Sequence, residues 1–225
     1  MFCRYLPRLA QRCKKLYFVV QKPLASFIQD NYPSLSIIPD CDNIEDIDYD
    51  YYLPLMSCME RLGEKPTTIP NSSGYLKASK GLAEYYKEKY FNNDKLKIGI
   101  SWAGAKGGNE RRNIPIETFR VLTELEGVQV YSIQKDGEIP KDMNIIDLGS
   151  TFNNFDDTAG AMANLDVFIT GDNVLLNLAG AMGVKTVCLL NQYSEWRWFD
   201  KGGRCSWYDS VWMFQKKQEK DSWLS

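Results

Sequence analysis

The feature that most constrains the fold is a regular alternation of apolar runs and helical patterns between residues 97 and 190. Each run is almost continuously apolar, which is typical of strands that are buried on both faces of a sheet. Parallel sheets have this property because connecting helices cover both faces. The pattern predicts an α/β fold with strands KIGISWAG (97–104), VQVYSIQ (128–134), NIIDLG (144–149), DVFITG (166–171) and KTVCLL (185–190), and with helices at about 115–125, 156–164 and 174–182.

The part of the chain before residue 97 shows a shorter alternation. FCRYLPRLAQRCKK predicts a helix that turns its apolar residues to one side and its arginines to the other. LYFVVQ (16–21) and LSIIP (35–39) predict strands on either side of the helix PLASFIQDN. The segment 42–63 predicts an acidic loop, a short strand and a helix that ends at Gly63. The amphipathic segment KGLAEYYKEKYF predicts a helix that links two lobes, and the aromatic tail from Trp196 is expected to wrap back over the sheet.

Composition excludes several classes of mechanism. The chain has no histidine, so it holds no Ser-His-Asp triad, no Cys-His dyad and no histidine metal ligand. Acid–base chemistry therefore needs carboxylates, lysine, tyrosine or groups of the substrate. A net charge of −2 provides no general attraction to nucleic acid.

The sequence also indicates in which cellular compartment the protein is expected. No apolar run approaches the roughly 20 residues that span a bilayer. Its six cysteines are scattered without a C-x-x-C pair. This spacing favours reduced, cytoplasmic thiols over a disulfide framework, which an even count also allows.

The stretch VFITGDNVLLNLAGAMGVKT (167–186) predicts a ligand site at the end of a strand. Ligands of open parallel sheets bind beyond the carboxyl ends of the strands. Either Asp172 or Asn173 can cap the helix that follows, and the free N–H groups and dipole of that helix favour an anion. A plain helix cap, with close packing through the small residues at 179–183, is the alternative interpretation.

A second strand end carries positive charge and glycine. SWAGAKGGNERRNIP contains Lys106, Arg111 and Arg112, together with glycines that allow close backbone approach. The spacing of a P-loop is absent, and a solvated basic loop is the alternative. Because both strand ends belong to one sheet edge, the sequence favours a phosphate-bearing ligand.

Other candidates lie nearby. Gln134 and Lys135 end a third strand and could reach a base or ribose, although a surface position explains them equally well. Asp156 or Asp157 is expected to cap a helix. Of Trp196 and Trp198, one could stack on a base, whereas core packing is expected for at least one.

The ordered segments DYDYYLPLMS, IGISWAGAKGGNERRNIP, VYSIQKDG, FDDTAGAMANLDVFITGDNVLLNLAGAMGVKTVCLL, WRWF and WYDSVWMFQ resemble glycosyltransferase family 9. This heptosyltransferase-like family has the GT-B fold, and the resemblance is strongest to the branch often fused to tetratricopeptide repeats. It implies two Rossmann-like lobes with parallel sheets: an N-terminal, acceptor-side lobe with its linker helix in residues 1–92, and a C-terminal nucleotide-sugar-binding lobe in residues 93–225. It also implies inverting sugar transfer without a required metal or another cofactor.

The resemblance places the donor at the two strand ends. Lys106 and Arg112 lie in the loop that such enzymes turn toward the diphosphate. Asp172, with the backbone of Asn173 and Val174, lies at the N-terminus of the helix that follows the strand, a position that we call the helix mouth. The candidate donor-binding residues are Trp102, Gly104, Lys106, Arg112, Gln134, Lys135, Asp172, Asn173, Val174 and Asn177.

The chain departs from the family pattern in two places. Asn177 stands where the family usually has histidine, so an amide without positive charge replaces an imidazole. The segment MFCRYLPRLA resembles the helix that follows the family's first strand and its Gly-rich, Asp-containing turn. An incomplete N-terminal lobe is therefore expected. A misplaced start codon, an engineered deletion and a natural truncation all fit this pattern.

Two functions follow from the resemblance. One is transfer of a sugar from a nucleotide donor to a glycan or lipid-linked acceptor. The other is a catalytically inactive module that still binds the nucleotide sugar, which the missing turn favours. A Rossmann-type oxidoreductase is disfavoured because no G-x-G-x-x-G follows a strand. No nucleic-acid partner and no transmembrane segment are expected, and peripheral contact with a membrane stays open. The sequence identifies neither the sugar, the base, the acceptor nor the catalytic base.

Overall fold

The computed structural model of the chain describes residues 1–40, 47–65, 67–70, 74–104, 110–192, 194–198 and 203–218. The strands are β1 (Tyr17–Val20), β2 (Ser36–Pro39), β3 (Leu96–Ser101), β4 (Val128–Ser132), β5 (Ile145–Asp147), β6 (Val167–Thr170), β7 (Thr186–Leu190) and β8 (Val211–Gln215). The α-helices are α1 (Leu6–Ala10), α2 (Ala25–Asn31), α3 (Cys58–Arg61), α4 (Lys80–Tyr90), α5 (Arg120–Thr123), α6 (Phe155–Met162) and α7 (Val174–Met182). Within these described residues, no helix has both the length and the apolar character that crossing a membrane requires.

The main sheet has six parallel strands in the order β5-β4-β3-β6-β7-β8. The chain builds outward from β3 on one side and then crosses to β6 and builds outward on the other. This is the strand order of a doubly wound nucleotide-binding sheet, and it creates a switch point between β3 and β6. The five strands predicted between residues 97 and 190 are confirmed. Strands β3, β4, β6 and β7 hold buried apolar residues as expected, whereas Ile145 and Ile146 of the edge strand β5 are only half-buried.

The aromatic tail corrects one expectation in part: Trp207 and Tyr208 pack into the core, but residues 211–215 extend the sheet at its edge. Strand β8 pairs in parallel with β7, from Thr186↔Val211 to Leu190↔Gln215. Val211 and Met213 are buried, whereas Trp212 and Phe214 are exposed. This alternation of buried and exposed residues is that of an edge strand with one face covered, although VWMF reads as a continuous apolar run in the sequence.

The first part of the chain forms a two-stranded parallel sheet, in which Tyr17 of β1 pairs with Ser36 of β2. The short strand predicted in segment 42–63 is wrong, because described residues 47–54 form no strand and Tyr51 is 94% exposed. The helix that follows is short, a 3-10 turn at Leu55–Ser57 continued by α3, and Gly63 ends it at φ 70° as predicted.

Helix α4 and helix α2 join the N-terminal part of the chain to the main sheet through α6. Asn164 donates from Nδ2 to the carbonyl oxygen of Ala83 in α4 at 2.9 Å. Ser26 of α2 donates its hydroxyl to Asp156 at the start of α6. The expected cap of α6 is corrected: the side chain of Asn154, not that of Asp156 or Asp157, accepts from the backbone N–H groups of the first turn.

Arg4 corrects the expectation that the arginines of the first helix face away from the core. Its side chain is buried, and its guanidinium lies 4.8, 5.5 and 5.0 Å from the ring centroids of Tyr75, Trp207 and Tyr208. Arginine can replace apolar residues there because rings solvate its flat cation. The two predicted lobes thus share one apolar core in the described residues, and the boundary near residue 92 stays a prediction.

Candidate active site at the strand switch point

The helix mouth at the end of β6 is locked to the neighbouring strand by Asn173. Ser101 ends β3 and Thr170 ends β6, and these paired residues join their hydroxyl oxygens at 2.6 Å. Asn173 donates from Nδ2 to both hydroxyls, at 3.1 and 3.0 Å. Its Oδ1 accepts from the N–H groups of Leu175 and Leu176 at 2.9 and 3.2 Å. Of the two predicted caps, Asn173 is therefore the one that starts α7.

Replacing Asn173 with alanine should destabilise the protein more than replacing the cap of α6. Both asparagines accept two backbone N–H bonds, but Asn173 also donates to Ser101 and Thr170. We expect Asn154→Ala to lower the free energy of unfolding by about 1 kcal/mol and Asn173→Ala by about 2–3 kcal/mol. Urea denaturation of both variants measures the difference, and equal losses would contradict the bridging role.

Asp172 holds a buried negative charge beside the helix mouth. Its side chain is 7% exposed, and Oδ2 lies 3.6 Å from Nη1 of Arg112. The same Oδ2 accepts no hydrogen bond from the described residues. Since a buried carboxylate is costly without a counter-charge, Arg112 is needed to stabilise it. The other end of this guanidinium, Nη2, contacts the carboxylate of Glu195.

Cys188 lies close to this carboxylate but is not a nucleophile. Burial raises the pKa of the Cys188 thiol well above its ordinary value, and the nearby carboxylate of Asp172 raises it further. A thiol in this state carries no thiolate near neutral pH. Cys188 therefore packs in the sheet as an apolar residue.

Gln134 shapes the loop that follows β3. Its Oε1 accepts from the N–H groups of Trp102 and Ala103 at 3.2 and 3.1 Å. Gly104 lies further along the same loop and donates its N–H to Asn113 Oδ1 at 3.2 Å. The side-chain oxygen of Gln134 is thus engaged within the protein instead of being directed at a base or ribose. Lys106 falls in residues 105–109, which lie outside the described residues.

The remaining candidates occupy different surroundings. Trp102 is buried, and its ring packs against Gly137. Lys135 is exposed at the end of β4, and Val174 is 53% exposed in the first turn of α7. Asn177 lies one turn deeper, where Nδ2 donates to the carbonyl of Asn173 at 3.3 Å and Oδ1 accepts from the Tyr208 hydroxyl at 3.0 Å.

The switch point therefore brings Arg112, Asp172, Asn173 and Val174 together and leaves Asn177 in a supporting position. The sequence reasoning missed Ser101, Thr170 and Glu195. A polar residue ending each of two apolar runs was a usable signal for the two hydroxyls. No local pattern indicates a role for Glu195, because it lies outside the predicted strands and helices, next to Trp196 and Trp198. Of these, Trp198 is buried and Trp196 is 57% exposed, which confirms core packing for one.

Two open cavities lie at the opposite edge of the sheet. One, of about 630 Å³, borders the start of β3 at Lys97, and the other, of about 510 Å³, borders Asp166 and Lys185 before β6 and β7. These residues mark the amino ends of the strands, away from the edge where open parallel sheets bind ligands. We therefore place the candidate site at the carboxyl edge.

Comparison with solved structures identifies the fold. The glycosyl transferase family 9 structure from Veillonella parvula superposes with a TM-score of 0.55 at 16% sequence identity, covering 72% of this chain and 48% of that one. The ADP-heptose lps heptosyltransferase II of E. coli superposes with a TM-score of 0.51 at 16% identity, covering 65% of this chain and 48% of that one. The chain shares the fold of these glycosyltransferases.

The shared fold confirms the predicted α/β architecture of the GT-B heptosyltransferase type. The chain spans about half the length of these two solved structures. No family model and no curated protein matches the sequence. The similarity to these structures thus shows the fold, and the ligand and the reaction of this chain are proposals.

Proposed function

We propose that the chain binds a nucleoside diphosphate sugar at the carboxyl edge of the main sheet, as the donor of a glycosyl transfer. The observation that carries the proposal is the cluster of Arg112, Asp172 and Asn173 at the switch point between β3 and β6. A helix N-terminus, a guanidinium and buried hydroxyl groups meet there. Helix N–H groups and arginine are the groups with which proteins hold phosphate.

The roles of the residues follow from their chemistry. Arg112 and the N–H groups of Asn173 and Val174 neutralise the negative charge that develops as the nucleoside diphosphate leaves. The side chain of Asn173 holds the first turn of α7 by accepting from the N–H groups of Leu175 and Leu176, and Gln134 fixes the backbone of Trp102 and Ala103. Lys106 and Lys135 supply further positive charge to the phosphates, and Asn177 supports the helix mouth through Asn173.

The reaction that best fits this arrangement transfers the sugar to a glycan or lipid-linked acceptor with inversion and without a metal. The protein would act in the cytoplasm and belong to the branch of family 9 often fused to tetratricopeptide repeats. The fold shared with two glycosyltransferase structures supports glycosyl transfer, and the ordered sequence segments that resemble the family support the finer parts of this proposal.

A second candidate is a module that binds the nucleotide sugar without turning it over. The observation that favours this module is that both carboxylates near Arg112 are paired with it. Asp172 and Glu195 both face the guanidinium of Arg112, so neither is available in this arrangement to deprotonate an acceptor hydroxyl. In this case the chain would bind the donor without activating an acceptor.

Calorimetric titration with nucleoside diphosphates and their sugar forms tests the shared part of both candidates. We expect the chain to bind one of the ADP, GDP or UDP series with a dissociation constant of about 1 μM to 1 mM, a range typical of enzyme substrates. Slow hydrolysis of the bound sugar nucleotide, or transfer to an added glycan, separates the enzyme from the module. Absence of heat with every member, from protein with a cooperative unfolding transition, would refute donor binding.

A further inference from the structure

Arg112 pairs with two carboxylates of the chain itself. Its Nη1 lies 3.6 Å from Asp172, and its Nη2 contacts Glu195. A guanidinium presents the same planar set of donors to a carboxylate as to a phosphate. A phosphate that approaches Arg112 therefore competes with carboxylates of the chain itself.

The two carboxylates differ in how easily they can leave. Asp172 is 7% exposed and lies at the junction of β6 and α7, where strand and helix hold its backbone. Glu195 is 31% exposed and lies in the connection between β7 and β8, where the described residues 191–192 and 194–198 form neither helix nor strand. Rotation of its side chain toward solvent is enough to release the guanidinium. Asp172 is thus the permanent partner of Arg112, and Glu195 is the exchangeable one.

We propose that Glu195 is an internal competitor of the diphosphate and sets the affinity of the site for the diphosphate. This inference rests on the proposed function. In the empty site its carboxylate pairs with Arg112 and keeps the guanidinium beside Asp172. The incoming donor displaces Glu195 and takes over Nη2. When the sugar has left, return of Glu195 to Arg112 promotes release of the nucleoside diphosphate product.

The competition predicts that removing the charge of Glu195 strengthens anion binding. Titration of inorganic pyrophosphate into the Glu195→Gln variant should give a dissociation constant about three to ten times lower than that of the unaltered chain, because Arg112 is then free of its competitor. ADP, GDP and UDP are titrated in parallel to read the effect on nucleotides. The matched control is Glu117→Gln, because Glu117 pairs with Arg120 at 2.8 Å and not with Arg112. This control should leave the pyrophosphate constant unchanged.

The outcomes separate this inference from the proposed function. Tighter pyrophosphate binding without any nucleotide binding would uphold the competition at Arg112 and overturn nucleotide-sugar binding. Nucleotide binding with unchanged pyrophosphate affinity would overturn the competition and leave the proposed function standing. Weaker nucleotide binding in Glu195→Gln would also overturn it, because Glu195 would then accept hydrogen bonds from the nucleoside. Lack of pyrophosphate binding by both folded proteins would refute the competition outright.

Discussion

Replacing Gly149 with alanine is expected to lower the free energy of unfolding by about 3–5 kcal/mol, a large fraction of the about 5–15 kcal/mol that stabilises an ordinary domain. A Cβ atom on Gly149 would lie 1.8 Å from the carbonyl oxygen of Gln134 and 2.3 Å from its carbonyl carbon. Both are backbone atoms, so no side-chain rotation relieves the overlap. The chain after β4 would have to move, and with it the Gln134 side chain that holds the N–H groups of Trp102 and Ala103.

Urea denaturation measures this loss, and Gly81→Ala is the matched control. Gly81 lies within α4, and a Cβ atom there meets nothing within 4 Å. Alanine is favoured over glycine inside a helix by about 0.5–1 kcal/mol, so the same substitution should stabilise the protein at residue 81. A loss below about 1 kcal/mol for Gly149→Ala would show that the loop after β4 relaxes easily, contrary to its close packing.

The strands were predictable from the sequence because burial on both faces leaves a local mark. Strands β3, β6 and β7 are rich in apolar residues, and most of these residues are buried or half-buried. Strand β8 (VWMFQ) is just as apolar in sequence, although Trp212 and Phe214 are exposed, so its composition does not reveal that one of its faces is open. The start of α7 was equally predictable. Asn173 stands directly before an apolar helical pattern, which is the usual place of a capping residue.

The contacts within the site were less predictable, because they join residues that are far apart in the sequence. The pairing of Arg112 with Asp172 and Glu195 depends on the strand order, and strand order is not encoded in any local pattern. The sequence allows Gln134 either to reach a base or ribose or to lie at the surface, since it ends a predicted strand, and its side chain is in fact buried. Its acceptor oxygen instead satisfies two backbone N–H groups of the neighbouring loop. A strand end therefore identifies the location of a site better than it identifies the direction of a side chain.

The burial of Arg4 illustrates the same limit. Helical periodicity placed it with the solvent-facing arginines, because the side chain carries a charge. The rings that surround it, Tyr75, Trp207 and Tyr208, come from the other end of the chain or from the long connector. Only the tertiary structure brings enough aromatic surface together to make that position favourable for a cation.

Replacing Arg112 with alanine is expected to weaken binding of the nucleoside diphosphate by about 2–4 kcal/mol, or roughly 30- to 1000-fold. The loss has two physical causes. The phosphates lose a charged, forked hydrogen-bond donor. In addition, Asp172 and Glu195 lose the cation that they share, so the ligand meets two uncompensated carboxylates. An Arg112→Lys variant keeps the positive charge but not the forked set of N–H donors. Its affinity for the nucleoside diphosphate should lie between those of the unaltered chain and of Arg112→Ala.

The matched control for Arg112 is Arg120, which also pairs with two carboxylates, Glu117 and Asp142, each at 2.8 Å. Arg120→Ala removes the same side chain from a similar ion-pair arrangement, but it leaves the switch point between β3 and β6 intact. We expect the nucleotide affinity of Arg120→Ala to lie within about twofold of that of the unaltered chain. The ion pairs of Arg120 are exposed, and exposed ion pairs have little effect on groups away from them. Calorimetric titration of both variants decides the assignment. Equal losses in the two would mean that arginine acts through the general field of the protein, whereas a loss confined to Arg112 locates the phosphate contact at the mouth of α7.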